Sequence, residues 1–282
     1  MKTSKSLPSI RRIAKYTLVD ELRHKSFVIM FVICAISVFL VRSCYQGNYM
    51  VNGHYLDAAT VVRTLSKVTF HIIGAGVMVI AALFSMRIFR RDRNDGMQSC
   101  VLSKPIARWQ YVTGKIIGLW VLSVLFMFIL HGIVFLITSI SLKVFMPEYL
   151  VASLLCSINL LFVVIAVLLL SLLMPDIVAF LFVLGVGVVG FVADGIAAAS
   201  HSQMAQTMMQ QSGAHPHSEL TWWKVVYYLW PKLLGVQQWA SSLIGKEPFH
   251  GSGTIYPLIN VLLYCLILGA MLFRRFRNED II

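Results

Sequence analysis

The sequence predicts an all-α integral membrane protein with six transmembrane helices. Three observations carry this expectation. Only 13% of the 282 residues are charged and the mean hydropathy is +0.79, whereas about a quarter of a soluble domain is charged. The apolar residues gather into six long runs. A helix needs roughly 20 such residues to cross the hydrocarbon core, and it satisfies its own backbone hydrogen bonds on the way. The alternating pattern of a membrane barrel is missing. Finally, 24 Lys and Arg face 12 Asp and Glu, for a formal charge of +12. Beside a membrane such an excess is a topology signal rather than a nucleic-acid footprint, so no nucleic-acid partner is expected.

The elements follow in chain order. Ile10, Ile13, Ala14, Thr17, Leu18 and Leu22 recur at helical spacing, with Arg11, Arg12, Lys15 and Arg23 mostly off that stripe. This predicts an N-terminal amphipathic helix lying in the membrane interface, with Pro8 near its start. Crossings are then expected at about 27–43, 69–89, 114–142, 150–173, 177–199 and 255–273, within one transmembrane domain over 1–282. The first is short, so Arg42 snorkels to the interface. The third is long enough to tilt or project. Met174, Pro175 and Asp176 make a tight hairpin between the fourth and fifth. Between the fifth and sixth, a stretch rich in Trp and Tyr predicts short interfacial or re-entrant helices around Trp222–Trp230 and Leu233–Leu243.

With six crossings, the N-terminus, the connection between helices 2 and 3, and the C-terminus share one side, which holds 17 of the 24 basic residues against 7 on the other. The positive-inside rule puts both termini in the cytoplasm. The first apolar run begins only near Phe27, behind a basic segment, so no cleavable signal peptide is expected. The five cysteines are scattered and form no CxxC pair, so neither a disulfide framework nor a cysteine metal site is expected.

The connection from Phe89 to Lys115 holds the functional signal. Asn94 and Asp95 are able to cap a helix start. Met97, Val101 and Leu102 would form one apolar face, and Lys104 with Pro105 would end the helix. A short helix held at the cytoplasmic surface among basic groups is the expectation.

This stretch resembles the cytoplasmic connection of ABC-2 type permeases, the membrane subunits of certain ATP-binding-cassette transporters. The family's acidic-Gly element corresponds to Asp95 and Gly96, although Asp92 and Asp95 stand where the family usually has Glu. Its short helix corresponds to 97–102. Its Leu-x-x-Pro-x-x-Arg element corresponds to Leu102, Pro105 and Arg108, and its Tyr-x-x-Gly-Lys element to Tyr111, Gly114 and Lys115. The segment Glu21 to Lys25 and the Arg-rich end after the last crossing also resemble the family. The layout covers the whole chain, while the motifs cover about forty residues.

The resemblance implies a coupling helix that docks on a separate ATPase subunit, with Asp95, Gly96, Met97, Val101, Leu102, Pro105 and Arg108 making or shaping the contact. ATP and Mg would bind in that ATPase. The chain would bind no cofactor and would not be an enzyme by itself. It also lacks G-x-x-x-x-G-K-[ST], because Ile116 follows Lys115 and the upstream glycine is missing. The implied setting is the cytoplasmic (inner) membrane of a prokaryote. A second permease copy, as homodimer or related heterodimer, the lipid bilayer and accessory proteins would be the other partners. The implied function is export or transmembrane movement of an unidentified substrate. Alternatives are an ATPase-driven membrane scaffold or assembly factor, for example in metalloenzyme maturation, and an independent channel or carrier.

Other polar groups along the chain have both a functional reading and a plain packing one. Asp176 and Asp194 lie 18 residues apart on one helical run, roughly 27 Å by helix rise, so they cannot form an aspartyl protease dyad, and no catalytic residue is expected. His71, His131 and Asn159 sit in or near apolar runs, where polar groups mark pathways or bond across helices. Gly187 and Gly190, with Gly185 and Gly195, thin one face of the fifth helix for dimer contact, a pathway or intrachain packing. No metal site is assigned. His201, Met204 and Met208 would share a helical face suited to copper, against the plainer reading of a Met-rich packing surface.

Overall fold

The computed structural model describes residues 6–40, 50–51, 54–55, 58–96, 103, 106–141, 145–200, 228–245 and 255–278. Nine α-helices account for most of these residues. They are α1 (Ser6–Arg23), α2 (Lys25–Leu40), α3 (Ala58–Met86), α4 (Ile88–Asn94), α5 (Arg108–Leu136), α6 (Glu148–Ser171), α7 (Asp176–Ser200), α8 (Leu233–Gly245) and α9 (Tyr256–Arg277). Strands Met50–Val51 and His54–Tyr55 pair antiparallel between α2 and α3. Among the described residues, five helices are long and apolar enough to cross a membrane, and a sixth span is obtained if α1 and α2, bent by 70° at His24, form one.

Helix α6 is the centre. Residues 162–169 are buried without interruption, and α6 packs against α3, α5, α7, α8 and α9. A helix that is apolar all round belongs inside a bundle. Helices α7 and α9 are the least covered spans, at 22% and 28% buried. Lipid tails are as apolar as leucine, so close packing rather than apolar transfer selects these contacts. The rings of Phe27, Phe31, Phe84 and Phe126 interlock α2, α3 and α5 in this way.

Two helices are longer than hydropathy indicates. Helix α3 begins at Ala58, twelve residues before the apolar run at Phe70. Val62, Ser66 and Phe70 are all buried, and their spacing of four continues one packed face through Arg63 and Lys67. Helix α5 runs from Arg108 and continues as a π-helical turn over Ile137–Ser141. With 29 residues apiece, α3 and α5 are about 44 Å long, beyond the roughly 30 Å of hydrocarbon.

Helix α8 has 13 residues, about 20 Å, too short to cross. It is inserted among α3, α6, α7 and α9, with Val236 and Ala240 fully buried.

Candidate coupling site

The start of α5, the short helix α4, the elbow between α1 and α2, and the last turn of α9 meet at one end of the bundle, called here the basic end. Asp92 of α4 lies buried against α5. Its Oδ2 accepts a hydrogen bond from the Tyr111 hydroxyl and lies 2.6 Å from Lys115 Nζ. Tyr111 and Lys115 are four residues apart and share one helix face. The Lys115 and Asp92 side chains are only 3% and 6% exposed, so this is a desolvated pair rather than a solvated surface contact.

Neighbouring contacts extend the frame. Arg91 donates to Asp20 and Glu21 of α1, both at 2.6 Å. Burial raises the Glu21 carboxyl above its usual range, against the pull of Arg91. Phe89, Tyr111 and Phe276 pack ring to ring, joining α4, α5 and α9. Arg108 Nη1 donates to the Arg277 carbonyl at 2.8 Å, satisfying a carbonyl in the last turn of α9.

Two glycines let α1 press onto α5. A Cβ at Gly114 would lie 2.7 Å from Ile13, and one at Gly118 would lie 2.9 Å from the Ala14 carbonyl. Gly114 and Gly118 are one turn apart, so the pair forms a notch that α1 crosses. The three matched positions of the Tyr-x-x-Gly-Lys element therefore have separate structural roles. Tyr111 and Lys115 hold Asp92, and Gly114 admits α1.

The acidic-Gly element divides likewise. Asn94 and Asp95 close α4, and Gly96 follows with φ +67°; the helix start that they are expected to cap lies outside the described residues. That left-handed conformation favours glycine at a helix C-terminus, and the Gly96 amide donates to the Arg93 carbonyl at 3.1 Å. Of the two aspartates, the buried one is Asp92. Met97, Val101, Leu102 and Pro105 lie outside the described residues. The chain returns at Ile106 and Ala107, and α5 starts with the Gln110 side chain accepting the Ala107 amide at 3.1 Å.

The other sequence-selected residues are spread through the half of the bundle away from the basic end. His131 is fully buried, stacks on Phe70 at 4.7 Å and sits 2.8 Å from Ser153 Oγ. It knits α3, α5 and α6 together. His71 Nδ1 lies 3.4 Å from Gln237 Oε1, and Gln237 covers Gly74, where a Cβ would meet its amide at 2.6 Å. Asn159 Nδ2 donates to the Leu233 carbonyl at 2.8 Å. Gly190 packs on the Trp230 indole, while a Cβ at Gly185, Gly187 or Gly195 would meet nothing within 4 Å among the described residues. Gly187 lines an apolar groove between α3 and α7.

Asp194, in the last third of α7, is buried and accepts from Lys232 Nζ at 2.8 Å. The Lys232 amide donates to Asn260 Oδ1 at 3.1 Å. The start of α8 is thus held through its backbone by Asn159 and Asn260 and through the Lys232 side chain by Asp194. Asp176, at the opposite end of α7, contacts Arg90 at 3.4 Å. His201, Met204, Met208 and 222–227 of the expected Trp222–Trp230 helix lie outside the described residues. Among the described residues no group of three or more His, Cys, Asp or Glu is placed to hold a metal.

The residues that sequence reasoning left out of the site are Glu21, Arg91, Asp92, Tyr111 and Lys115. One signal was available. A lysine inside the first turns of an apolar helix needs an acidic partner, and Asp92 is the nearest upstream candidate outside the expected contact. The family model described as ABC-2 family transporter protein matches residues 11–281 of the chain. No curated protein matches it.

Proposed function

Since the chain belongs to the ABC-2 family of transporter proteins, we propose that segment 97–105 is where a separate ATPase drives this membrane subunit. The family makes the chain a multi-pass membrane protein with an ABC ATPase as its partner. In the proposed cycle, ATP and Mg bind in that ATPase. Closure of two ATPase subunits displaces the 97–105 segments of two copies of this chain, and a path for an unidentified substrate opens or closes between them. The basic end faces the cytoplasm, and the membrane is the inner membrane of a prokaryote.

The observation that carries this reading is the bracing on both sides of the segment. Before it, α4 is tied to α5 through Asp92 and to α1 through Arg91. After it, Arg108 is tied to the end of α9. A push applied between residues 97 and 105 would therefore move α1, α4, α5 and α9 together instead of being absorbed by a loose loop. Without the braces, the same push would only bend the connection.

The test is co-purification. The full chain, tagged and extracted in mild detergent, should carry an ATPase subunit containing a P-loop. Met97→Asp with Val101→Asp should lower the recovered ATPase at least tenfold while the chain remains folded and inserted. Undiminished ATPase would refute the assignment of the segment. Substrate-stimulated ATPase activity in the reconstituted complex separates transport from a purely mechanical role. Reporter fusions at the C-terminus test the cytoplasmic orientation.

A further inference from the structure

A second feature of the basic end lies beside the proposed coupling segment and shares Arg108 with its bracing. Between the start of α5 and the last turn of α9 lies an open cleft of about 740 Å³. Arg108, Arg274 and Arg277 line it, together with Trp109, Val112 and Phe273, and no acidic residue does so among the described residues. Arg274 and Arg277 are three apart on α9 and share a face, where like charges repel. Both are exposed. Part of their charge is offset by the carbonyl end of α9. Arg108 reaches across to the Arg277 carbonyl and so sets a third guanidinium beside them. Arg274 and Arg277 thus stand side by side with no acidic residue among the described lining residues.

We propose that this cleft binds the phosphate of an anionic phospholipid headgroup. A guanidinium presents two parallel donors that match phosphate oxygens. Basic pockets between transmembrane helices are a recurring way to hold such headgroups. The remaining wall favours a lipid over a soluble ion. Trp109 is 50% exposed, in the manner of an indole at headgroup level. Phe273 begins an apolar face of α9 that continues through Leu266, Leu262 and Ile259, the last three exposed. A headgroup bound by the arginines would lay its acyl chains along that face. An acidic peptide or inorganic phosphate would leave it bare.

The experiment uses the full chain in detergent, with retained lipid read by native mass spectrometry after adding phosphatidylglycerol or phosphatidylcholine. The wild type should retain phosphatidylglycerol in preference to phosphatidylcholine. Each juxtamembrane arginine contributes about fivefold, so Arg274→Gln with Arg277→Gln should weaken phosphatidylglycerol retention roughly twenty-five-fold. Lys at both positions should keep most of it. Arg274 has no hydrogen bond or ion pair among the described residues, so Arg274→Gln alone, losing about fivefold, carries the test if the double variant does not fold. Equal retention of both lipids by the wild type, or unchanged phosphatidylglycerol in the Gln variants, overturns the proposal. So does inorganic phosphate protecting the chain from thermal unfolding as well as phosphatidylglycerol does, which would mark a soluble-anion site. Loss of a co-purifying ATPase with lipid retention intact would mark a protein contact and also overturns it. None of these readouts requires the 97–105 segment to be the coupling element.

Discussion

Replacing Lys115 by Met would leave the Asp92 carboxylate buried, with the Tyr111 hydroxyl still donating to it and no cation in direct contact, Arg91 acting only from a distance. The pair lies at 2.6 Å with side chains 3% and 6% exposed, so removing one partner strands a charge away from water. Breaking a buried pair this way costs about 3–5 kcal/mol, against at most about 1 kcal/mol for an exposed pair. The two magnitudes are far enough apart to decide which kind of pair this is. Lys115→Met combined with Asp92→Asn removes both charges, and the amide oxygen left at position 92 still accepts from Tyr111. That double variant should therefore recover to within about 1–2 kcal/mol of the wild type, since an uncharged replacement of a buried pair is often close to neutral. Denaturant unfolding of the detergent-solubilised chain measures all three proteins. A single variant within 1 kcal/mol of wild type, or a double variant no more stable than the single, would refute the brace.

Three further outcomes follow from other contacts. Gly114→Val should destabilise by about 1–3 kcal/mol through overpacking, because even a Cβ there lies 2.7 Å from Ile13, and cysteine accessibility along α1 should rise. Asn159→Leu should release the Leu233 carbonyl and cost about 1–3 kcal/mol, with faster hydrogen exchange confined to the start of α8. The Glu21 carboxyl has a raised folded pKa, mainly through burial. Its contribution is fully present below the ordinary value of 4.5 and is lost as pH rises through the raised one. Glu21→Gln has no such loss, so its apparent Tm should gain on the wild type as pH rises through that window. An unchanged difference would show that Glu21 titrates alike in the folded and unfolded chain.

The helical bundle was legible because membrane spans are written in local composition. Any run of about 20 apolar residues has few alternatives to a helix. Hydropathy was less informative where a helix outlasts its apolar run. Arg63 and Lys67 masked the first three turns of α3, although Val62 and Ser66 keep a packed face there. The coupling region was legible as a motif, but the roles within it were not. Asp95 and Asp92 are alike in composition, and only the fold shows that Asp92 faces Lys115 and Tyr111 while Asp95 ends a helix. The clamp on α8 was invisible for a related reason. Asp194 and Lys232 are 38 residues apart and Asn159 and Leu233 are 74 apart, and no periodicity links residues that meet only after several helices have packed.

The contacts of α7 are unequal at its two ends, and this bears on how a displacement would spread. Near the basic end, Arg90 meets Asp176 at 3.4 Å with the Arg90 side chain 70% exposed, a contact worth at most about 1 kcal/mol. At the far end, Asp194 and Lys232 are 5% and 4% exposed at 2.8 Å, and separating them costs several kcal/mol. Trp230 adds to that end by donating to the Val186 carbonyl at 3.2 Å while lying on Gly190. Helix α7 is therefore bound firmly to the start of α8 and weakly to α4. A load arriving through α4 would break the Arg90 contact before it broke the Lys232 contact, so α7 and α8 would stay together as α4 and α5 moved. The apolar groove past Gly187 lies along that weakly held boundary. Its lining is almost wholly apolar, so sliding there strands no polar group. The groove side of α7 is thus apolar, while α8 keeps its own tie to α3 through His71 and Gln237.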